Sequence, residues 1–395
     1  MNILLVSYIF YPEPIAMSAI VEDMATALAK EHNVTVLTSQ PCRPLGYKLP
    51  DNLNKESWKF KRVILPSYTH PQSGFVGRAR ESNSFGKAVV DYLKKHKAEV
   101  DVVYGCIQPL YGQLKVVSYC KKCGVPCTIH VEDIYPEPFL SRLPGVFGKL
   151  MFRMFLPMDK KILRKASKVV AIGPKILEYL IRTRQLQESK VEYVYNWQDD
   201  SRFDHIEVKK ERNDVFTFMY VGSLSSAANL LFVANSYIKA CPKGCRMVFA
   251  GNGALKPMLT EIAAKLPESV EITEARFEDV PKLQGSADVL VLPLKPTVAL
   301  KAFPSKFPSY LFSKKPILAI VEKESDVAAC INGASCGWIV EPTDEEALVD
   351  AFKSIPATDQ NTLVEMGDRA YEFGKKNLTK DANLGKFCSI IINAK

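Results

Sequence analysis

Short runs of apolar, often β-branched residues alternate with longer amphipathic stretches along most of the chain. In the first half these runs predict strands at NILLVSYI from Asn2, HNVTVLT from His32, VDVVY from Val100, VPCTIHV from Val125, KVVAI from Lys168 and VEYVY from Val191. Helices are predicted between them, for example over Ser18 to Lys30 and over Phe85 to Lys97. This alternation is typical of βαβ units and of a mainly parallel sheet.

The alternation starts again after a polar segment that runs from Asn196 to Asn213. The strands predicted there are VFTFMYVG from Val215, CRMVFAG from Cys245, VEIT from Val270, ADVLVLPL from Ala287, PILAIV from Pro316 and GWIV from Gly337. We therefore predict an α/β protein with two Rossmann-like, doubly wound domains and a ligand-binding cleft between them. The predicted domains are residues 1–197 and 214–370, and one hypothesis for residues 371–395 is a helix that packs back on the N-terminal domain.

The composition is that of a globular protein: 395 residues, of which 47% are hydrophobic and 24% charged. The 10 cysteines are unevenly spaced, and the apolar first strand lacks the basic start and cleavage site of a signal peptide. These features predict reduced thiols in a cytoplasmic protein. No apolar stretch approaches the roughly 20 residues of a membrane span, so any membrane association is expected to be peripheral.

The net charge of +9 is concentrated in one part of the chain. Residues 142–190, from Arg142 to Lys190, hold twelve lysines and arginines against three acids. Such an excess predicts an anionic partner: a phosphate, a nucleic acid or a membrane surface. No nucleic-acid-binding module surrounds the stretch, which favours the inner face of the cell membrane. From Gly145 its apolar and basic residues mix as in an interfacial helix, although a core role for the apolar ones stays open.

Three strand-to-helix turns are candidates for binding phosphate. FAGNGALKPML from Phe249 contains Gly251-Asn252-Gly253, YVGSLSSAAN from Tyr220 contains Gly222 and Ser223, and FPSKFPSY from Phe303 places Lys306 at the start of a helix. Glycines allow close approach of the backbone, and the free N–H groups of a helix start attract anions. Each turn also has a simpler interpretation, namely steric need, an ordinary helix cap or a solvated lysine.

A fourth candidate, TIHVEDIYPEPF from Thr128, gathers His130, Glu132, Asp133 and Glu137 at the end of a strand. One imidazole and three carboxylates there would orient a hydroxyl or stabilise positive charge. A purely structural histidine is the alternative. The chain has no Asp-x-Asp motif, so no metal or other cofactor is predicted.

Taken together and in order, these segments resemble the retaining glycosyltransferases of the GT-B architecture, in particular glycosyltransferase family 4 and its members in bacterial surface-polysaccharide assembly. The similarity covers nearly the whole chain. It rests on ILLVSYIFYPEP, EDIYPEP, YNWQD, YVGSL, FAGNGALKPML, ADVLVLPL and PSKFPSYLFSKKPIL. The resemblance implies transfer of a hexosyl or N-acetylhexosaminyl group, with retention, from a nucleotide diphosphate sugar to a hydroxyl of a glycan or lipid-linked acceptor. A UDP-sugar is favoured over a GDP-sugar, and no metal is required.

The resemblance also assigns roles by position. Lys306, Glu132 and His130 are the implied catalytic residues. The donor would contact Gly222, Ser223, Asn252, Gly253, Arg276, Pro304, Ser305 and Ser309. The acceptor side would include Asp133, Glu137, and Ala16 and Met17 of the loop after the first strand.

Three departures from the family pattern keep other functions open. Where the family usually has two glutamates eight positions apart, this chain has Lys301 and Ser309. The usual basic pair is missing after Gly222, and the family's first-domain histidine aligns with Glu132. A non-catalytic paralogue that binds a sugar nucleotide or a partner protein is therefore the alternative. A sugar-nucleotide epimerase of the same architecture fits the PSKFPSYLFSKKP segment less well.

Overall fold

A computed structural model describes residues 1–43, 48–50, 52–70, 74–106, 110–143, 145–204, 214–226, 228–276 and 278–394. These residues form two compact units. The first contains Met1–Asn196 together with Asn383–Lys395, and the second contains Trp197–Ala382. The predicted link between domains lies partly outside the described residues, at 205–213, as does the side chain of Arg142.

The first unit is built on a parallel sheet with the strand order β3-β2-β1-β4-β5-β6-β7. Its strands are β1 (Asn2–Ser7), β2 (Asn33–Thr38), β3 (Lys61–Ile64), β4 (Val102–Cys106), β5 (Cys127–Val131), β6 (Lys168–Ala171) and β7 (Val191–Tyr193). Its helices are α1 (Ala16–Leu28), α2 (Phe75–His96), α3 (Tyr111–Cys123), α4 (Pro138–Arg142), α5 (Gly145–Lys165) and α6 (Pro174–Arg184).

The second unit repeats the plan with the parallel order β10-β9-β8-β11-β12-β13. Its strands are β8 (Phe216–Val221), β9 (Cys245–Ala250), β10 (Val270–Thr273), β11 (Val289–Pro293), β12 (Ile317–Ile320) and β13 (Gly337–Val340). Its helices are α7 (Leu230–Ala240), α8 (Lys256–Ala263), α9 (Val280–Gly285), α10 (Lys306–Phe312), α11 (Asp326–Ala334), α12 (Glu345–Ser354) and α13 (Gln360–Asn377), and α14 (Lys380–Ile392) follows.

Both sheets follow the pattern that the alternation predicted, and the doubly wound prediction is confirmed. Two local features differ from the prediction. The edge strand β3 was not predicted, and α2 begins at Phe75 and not at Phe85. The structural units also differ in bounds from the predicted domains, since residues up to Ala382 group with the second unit.

The start of the second sheet is held by a buried aromatic core. Phe218, Tyr237 and Phe352 meet edge to face, with centroids of Phe218 and Phe352 5.0 Å apart. Such rings each bury a large apolar area and add specific pair geometry. This packing holds the amino-terminal half of β8 against α7 and α12. Among the residues that the structure describes, no helix is long and apolar enough to cross a membrane.

Candidate functional site

Two glycine turns of the second unit pack directly on each other at the ends of β8 and β9. The N–H of Gly222 donates to the carbonyl oxygen of Ala250 at 2.8 Å, and the N–H of Leu224 donates to that of Asn252 at 2.9 Å. A Cβ atom on Gly253 would lie 2.4 Å from the carbonyl oxygen of Leu224, and its φ of +159° is one that other residues rarely adopt. The sequence therefore needs glycine here for packing as well as for any ligand.

Lys306, the first residue of α10, lies over the first of these turns. A Cβ atom on Gly222 would come within 2.0 Å of Cε of Lys306, so only a residue without a side chain leaves room for it. The ammonium group lies 5.6 Å from the ring centroid of Tyr220, in cation–π range. Burial lowers the pKa of Lys306, since the charged amine has lost much of its water. An anion bound at the turn would restore favourable interactions for that charge.

Tyr310 fixes this position of α10. Its fully buried hydroxyl accepts the N–H of Val221, the last residue of β8, at 2.9 Å. The hydrogen bond joins α10 to the strand end that leads into Gly222. Nothing in the sequence analysis singled out Tyr310, although its place one turn after Lys306 would have been a signal.

The other predicted donor contacts lie around these turns with different exposure. Ser223, Asn252, Gly253 and Arg276 are exposed. The side-chain oxygen of Asn252 accepts a hydrogen bond from Lys256 at 3.1 Å, and Lys256 also pairs with Glu274 at 3.0 Å. The ammonium group of Lys256 is thus already bound to these two side chains.

The serines of the PSKFPSY segment separate into an exposed and a buried position. Ser305 is exposed and Pro304 half-buried, whereas Ser309 is 5% exposed. The hydroxyl of Ser309 donates to the carbonyl oxygen of Lys306 at 2.8 Å and accepts from Gln284 at 3.2 Å. These bonds stabilise the first turn of α10 and bury the hydroxyl of Ser309, one of the predicted donor contacts.

In the first unit, His130 and Glu132 meet at the carboxyl end of β5. Nε2 of His130 lies 2.9 Å from Oε1 of Glu132, and Nδ1 shares a 2.8 Å hydrogen bond with the hydroxyl of Tyr104. The imidazole is 2% exposed and packs edge to face on Phe387, with centroids 4.9 Å apart. Glu132 is half-buried and accepts a hydrogen bond from Asn196 at 2.8 Å. Glu132 is thus the member of this pair that a substrate can reach, with His130 behind it.

The two remaining carboxylates of the EDIYPEP segment have separate environments. Asp133 is exposed. Glu137 is 1% exposed, and Arg184 binds both its oxygens at 2.7 Å while also donating to Asp159 at 2.7 Å. Burial with full pairing indicates a structural role for Glu137 and argues against the predicted acceptor contact.

The loop after β1 carries a buried carboxylate that sequence analysis missed. Glu13 accepts the backbone N–H groups of Cys42 and Arg43 at 3.0 and 2.9 Å, and burial raises its pKa. It anchors the loop in front of α1, whose first residue, Ala16, is exposed while Met17 is buried. Of the two acceptor-side residues predicted in this segment, Ala16 therefore has an accessible side chain and Met17 does not.

Comparison with known families gives two matches that follow one another along the chain. Residues 17–202 match the family described as Glycosyltransferase Family 4. Residues 215–356 match the family described as Glycosyl transferases group 1. The matched regions correspond to most of the two Rossmann-like units.

Individual glycosyltransferases are also similar to this chain in sequence or in structure. The chain is 24% identical over 287 residues to the probable glycosyltransferase WbjE of Pseudomonas aeruginosa, covering 68% of each protein. Anabaena HepE, solved in complex with UDP, has a TM-score of 0.72 at 13% identity over 99% of this chain and 100% of its own. WaaG, a glycosyltransferase involved in lipopolysaccharide biosynthesis, has a TM-score of 0.68 at 15% identity over 99% of this chain and 100% of its own. With both family regions in order on two parallel α/β units, the chain belongs to the glycosyltransferases of the GT-B fold.

Proposed function

We propose that the protein transfers a hexosyl or N-acetylhexosaminyl group from a nucleotide diphosphate sugar to a hydroxyl of a glycan or lipid-linked acceptor, with retention of configuration. The observation that carries this proposal is the placement of Lys306 over the Gly222 turn. The turn offers backbone N–H groups without side chains in the way, and the lysine offers a partly desolvated positive charge. A diphosphate is the ligand chemistry that suits both.

In the proposed mechanism Lys306 acts on the leaving group. As the bond between sugar and diphosphate breaks, negative charge grows on the departing oxygen. A fixed cation stabilises that charge more in the transition state than in the ground state, which lowers the barrier. Asn252 and Arg276 are assigned to the nucleotide side because both are exposed beside the same turns.

The acceptor side is assigned to the first unit. The side chain of Glu132 is partly exposed, and Asn196 and His130 each hold one of its two oxygens in place. In this position it would accept a hydrogen bond from a sugar or acceptor hydroxyl. His130 and Tyr104 fix its position from behind. His130 is in this scheme a positioning residue, because its ring is buried and does not reach a substrate.

The donor and the biological role are further parts of the proposal. UDP-sugars are favoured, in keeping with the UDP complex of HepE. A role in bacterial surface polysaccharide biosynthesis, at the cytoplasmic side of the membrane, is in keeping with WaaG and its part in lipopolysaccharide biosynthesis. We also propose that the reaction needs no metal, and turnover unaffected by EDTA is the expected result.

A donor panel tests the proposal. Purified protein is incubated with UDP- and GDP-sugars, with and without a bacterial lipid extract, and released nucleotide is measured. Lys306→Met is expected to lower the rate of nucleotide release about ten- to hundredfold. Lys239→Met is the matched control, since Lys239 is an exposed lysine of the same unit paired with Glu345. Binding of UDP without release from any donor would favour the non-catalytic alternative, for which the absence of the glutamate pair at Lys301 and Ser309 is the motive.

A further inference from the structure

One helix of the first unit exposes an unusual row of large apolar side chains. On α5, Val146, Phe147, Leu150 and Met154 are between 54% and 85% exposed. Val146, Leu150 and Met154 are four residues apart, so they lie along one face, and Phe147 borders it. The opposite face of α5 is the buried one and includes Phe155, Ile162 and Leu163. This helix therefore has two apolar faces, of which only one packs in the core.

Two other helices of the first unit, α2 and α4, also expose large apolar side chains. Phe75 and Val76 at the start of α2 are 53% and 78% exposed, and Leu140 of α4 is 42% exposed. The ring of Phe75 packs edge to face on Phe139 at 5.4 Å, and Phe139 in turn packs on Phe155 of α5 at 5.6 Å. Phe155 belongs to the buried face of α5, so these contacts join the three helices from within, and the exposed apolar side chains lie on one group of packed helices. Several large apolar side chains exposed on one group of helices mark an interaction surface.

Positive charge borders the apolar row. Lys149 and Arg153 of α5 are exposed and have no ion-pair partner in the part of the chain that the structure describes. The one acid of α5, Asp159, is buried against Arg184, and the first turn of α2 contains no acid. Apolar residues flanked by bases, without acids, form the pattern of a helix that lies in a membrane interface.

The structure shows that only some of the bases in residues 142–190 are available to a partner. Several of these bases are bound internally: Arg164 donates to Arg184 and Gln185, Lys165 to Ser118, and Lys190 to Arg164 and Ala166. Arg184 itself is fully buried. Of the remaining bases, Lys149 and Arg153 lie in the amino-terminal half of α5 beside the apolar row, whereas Lys161 and Arg182 are exposed farther along the chain.

We propose that this surface, formed by Phe75, Val76, Leu140, Val146, Phe147, Lys149, Leu150, Arg153 and Met154 and called here the α5 face, binds an anionic lipid surface. The apolar side chains insert at the acyl boundary while Lys149 and Arg153 contact the headgroups. A second copy of the chain is the less suitable occupant. A two-fold contact would bring these bases opposite one another without acids to pair with.

Vesicle binding tests this proposal without any sugar donor, so its failure is separate from failure of the proposed function. Sedimentation with vesicles of phosphatidylglycerol and phosphatidylcholine is compared with sedimentation with phosphatidylcholine alone. Binding to the anionic vesicles only is expected. Lys149→Gln with Arg153→Gln should lower the partition coefficient roughly thirtyfold, at about fivefold per base. Lys243→Gln with Lys265→Gln, two exposed lysines of the second unit, is the charge-matched control and should lower it far less.

Insertion is measured separately with a tryptophan probe. Phe147→Trp is expected to show a blue shift and quenching by brominated lipid on anionic vesicles. Met258→Trp, at a 49% exposed position in the second unit, should show neither. Equal binding to neutral and anionic vesicles, equal loss in both glutamine pairs, or no quenching at residue 147 would overturn the proposal. So would a dimer in solution that Leu150→Ser converts to monomer.

Discussion

Substitution of Gly222 by alanine tests whether the contact between the glycine turn and Lys306 matters for activity. The φ of Gly222 is +145°, which costs an alanine about 1–3 kcal/mol of backbone strain. The added Cβ would also come within 2.0 Å of Cε of Lys306. Since that atom is near the end of a flexible side chain, the lysine moves at little cost to stability. The ammonium group is then displaced from the turn.

The expected result is a modest loss of stability and a large loss of turnover. A hydrogen bond to a charged group contributes about 1.5–3 kcal/mol, which corresponds to roughly a ten- to hundredfold drop in kcat/KM. Gly244→Ala is the matched control, because Gly244 has a φ of +65° but nothing within 4 Å of the added Cβ. It should lose about 1–2 kcal/mol of stability and keep its kcat/KM.

The assays are urea denaturation for stability and initial rates of nucleotide release for kcat/KM. Gly222→Ala and Lys306→Met should have similar kinetic defects. If Gly222→Ala keeps the wild-type kcat/KM while Lys306→Met loses it, the lysine does not work from the position described, and the reasoning from this contact is refuted.

Three further predictions concern single groups. Burial lowers the pKa of Lys306, and a bound diphosphate favours the charged amine. The affinity for UDP, measured by calorimetry, should therefore fall as the pH rises through this lowered pKa. In Lys306→Met this fall should be absent. Burial raises the pKa of Asp159 to about 6, so the stability contributed by its protonated form is lost as the pH rises from about 4 to 6. In urea titrations over that range, wild type should lose stability with rising pH, and Asp159→Asn should show a smaller loss; equal slopes for the two proteins would contradict this. Tyr310→Phe leaves the N–H of Val221 without its partner and should cost about 1–3 kcal/mol in the same assay; an unchanged midpoint would show that this bond does not hold α10.

The strands of the second unit could all be predicted from sequence, because most of them are short apolar runs, and β8, β11 and β12 are buried at every position. β3 could not. It lies at the sheet edge, has four residues, begins with Lys61 and Arg62, and shows no fully buried position. The start of α2 was missed for a related reason, since Phe75 and Val76 face solvent and do not follow the periodicity of a buried face.

The residues of the candidate site could be predicted from sequence, but the contacts between them could not. Lys306 and Gly222 were both identified, yet their contact depends on how α10 packs at the end of β8, which no local pattern encodes. Glu137 shows the opposite case. Its segment indicated chemistry, but its partner Arg184 lies 47 residues further along the chain, so its burial was not visible in the sequence.

The first unit is completed by a segment from the far end of the chain. Phe387 packs on both Tyr104 and His130, with centroids 5.7 and 4.9 Å away. During synthesis, the part that emerges first from the ribosome therefore lacks one of its core rings until the whole second unit has been translated. The same feature sets the rule for building chimeras. A first unit exchanged between homologues should be moved as two pieces, Met1–Asn196 with Asn383–Lys395, since a single junction near residue 197 would pair His130 with a foreign ring.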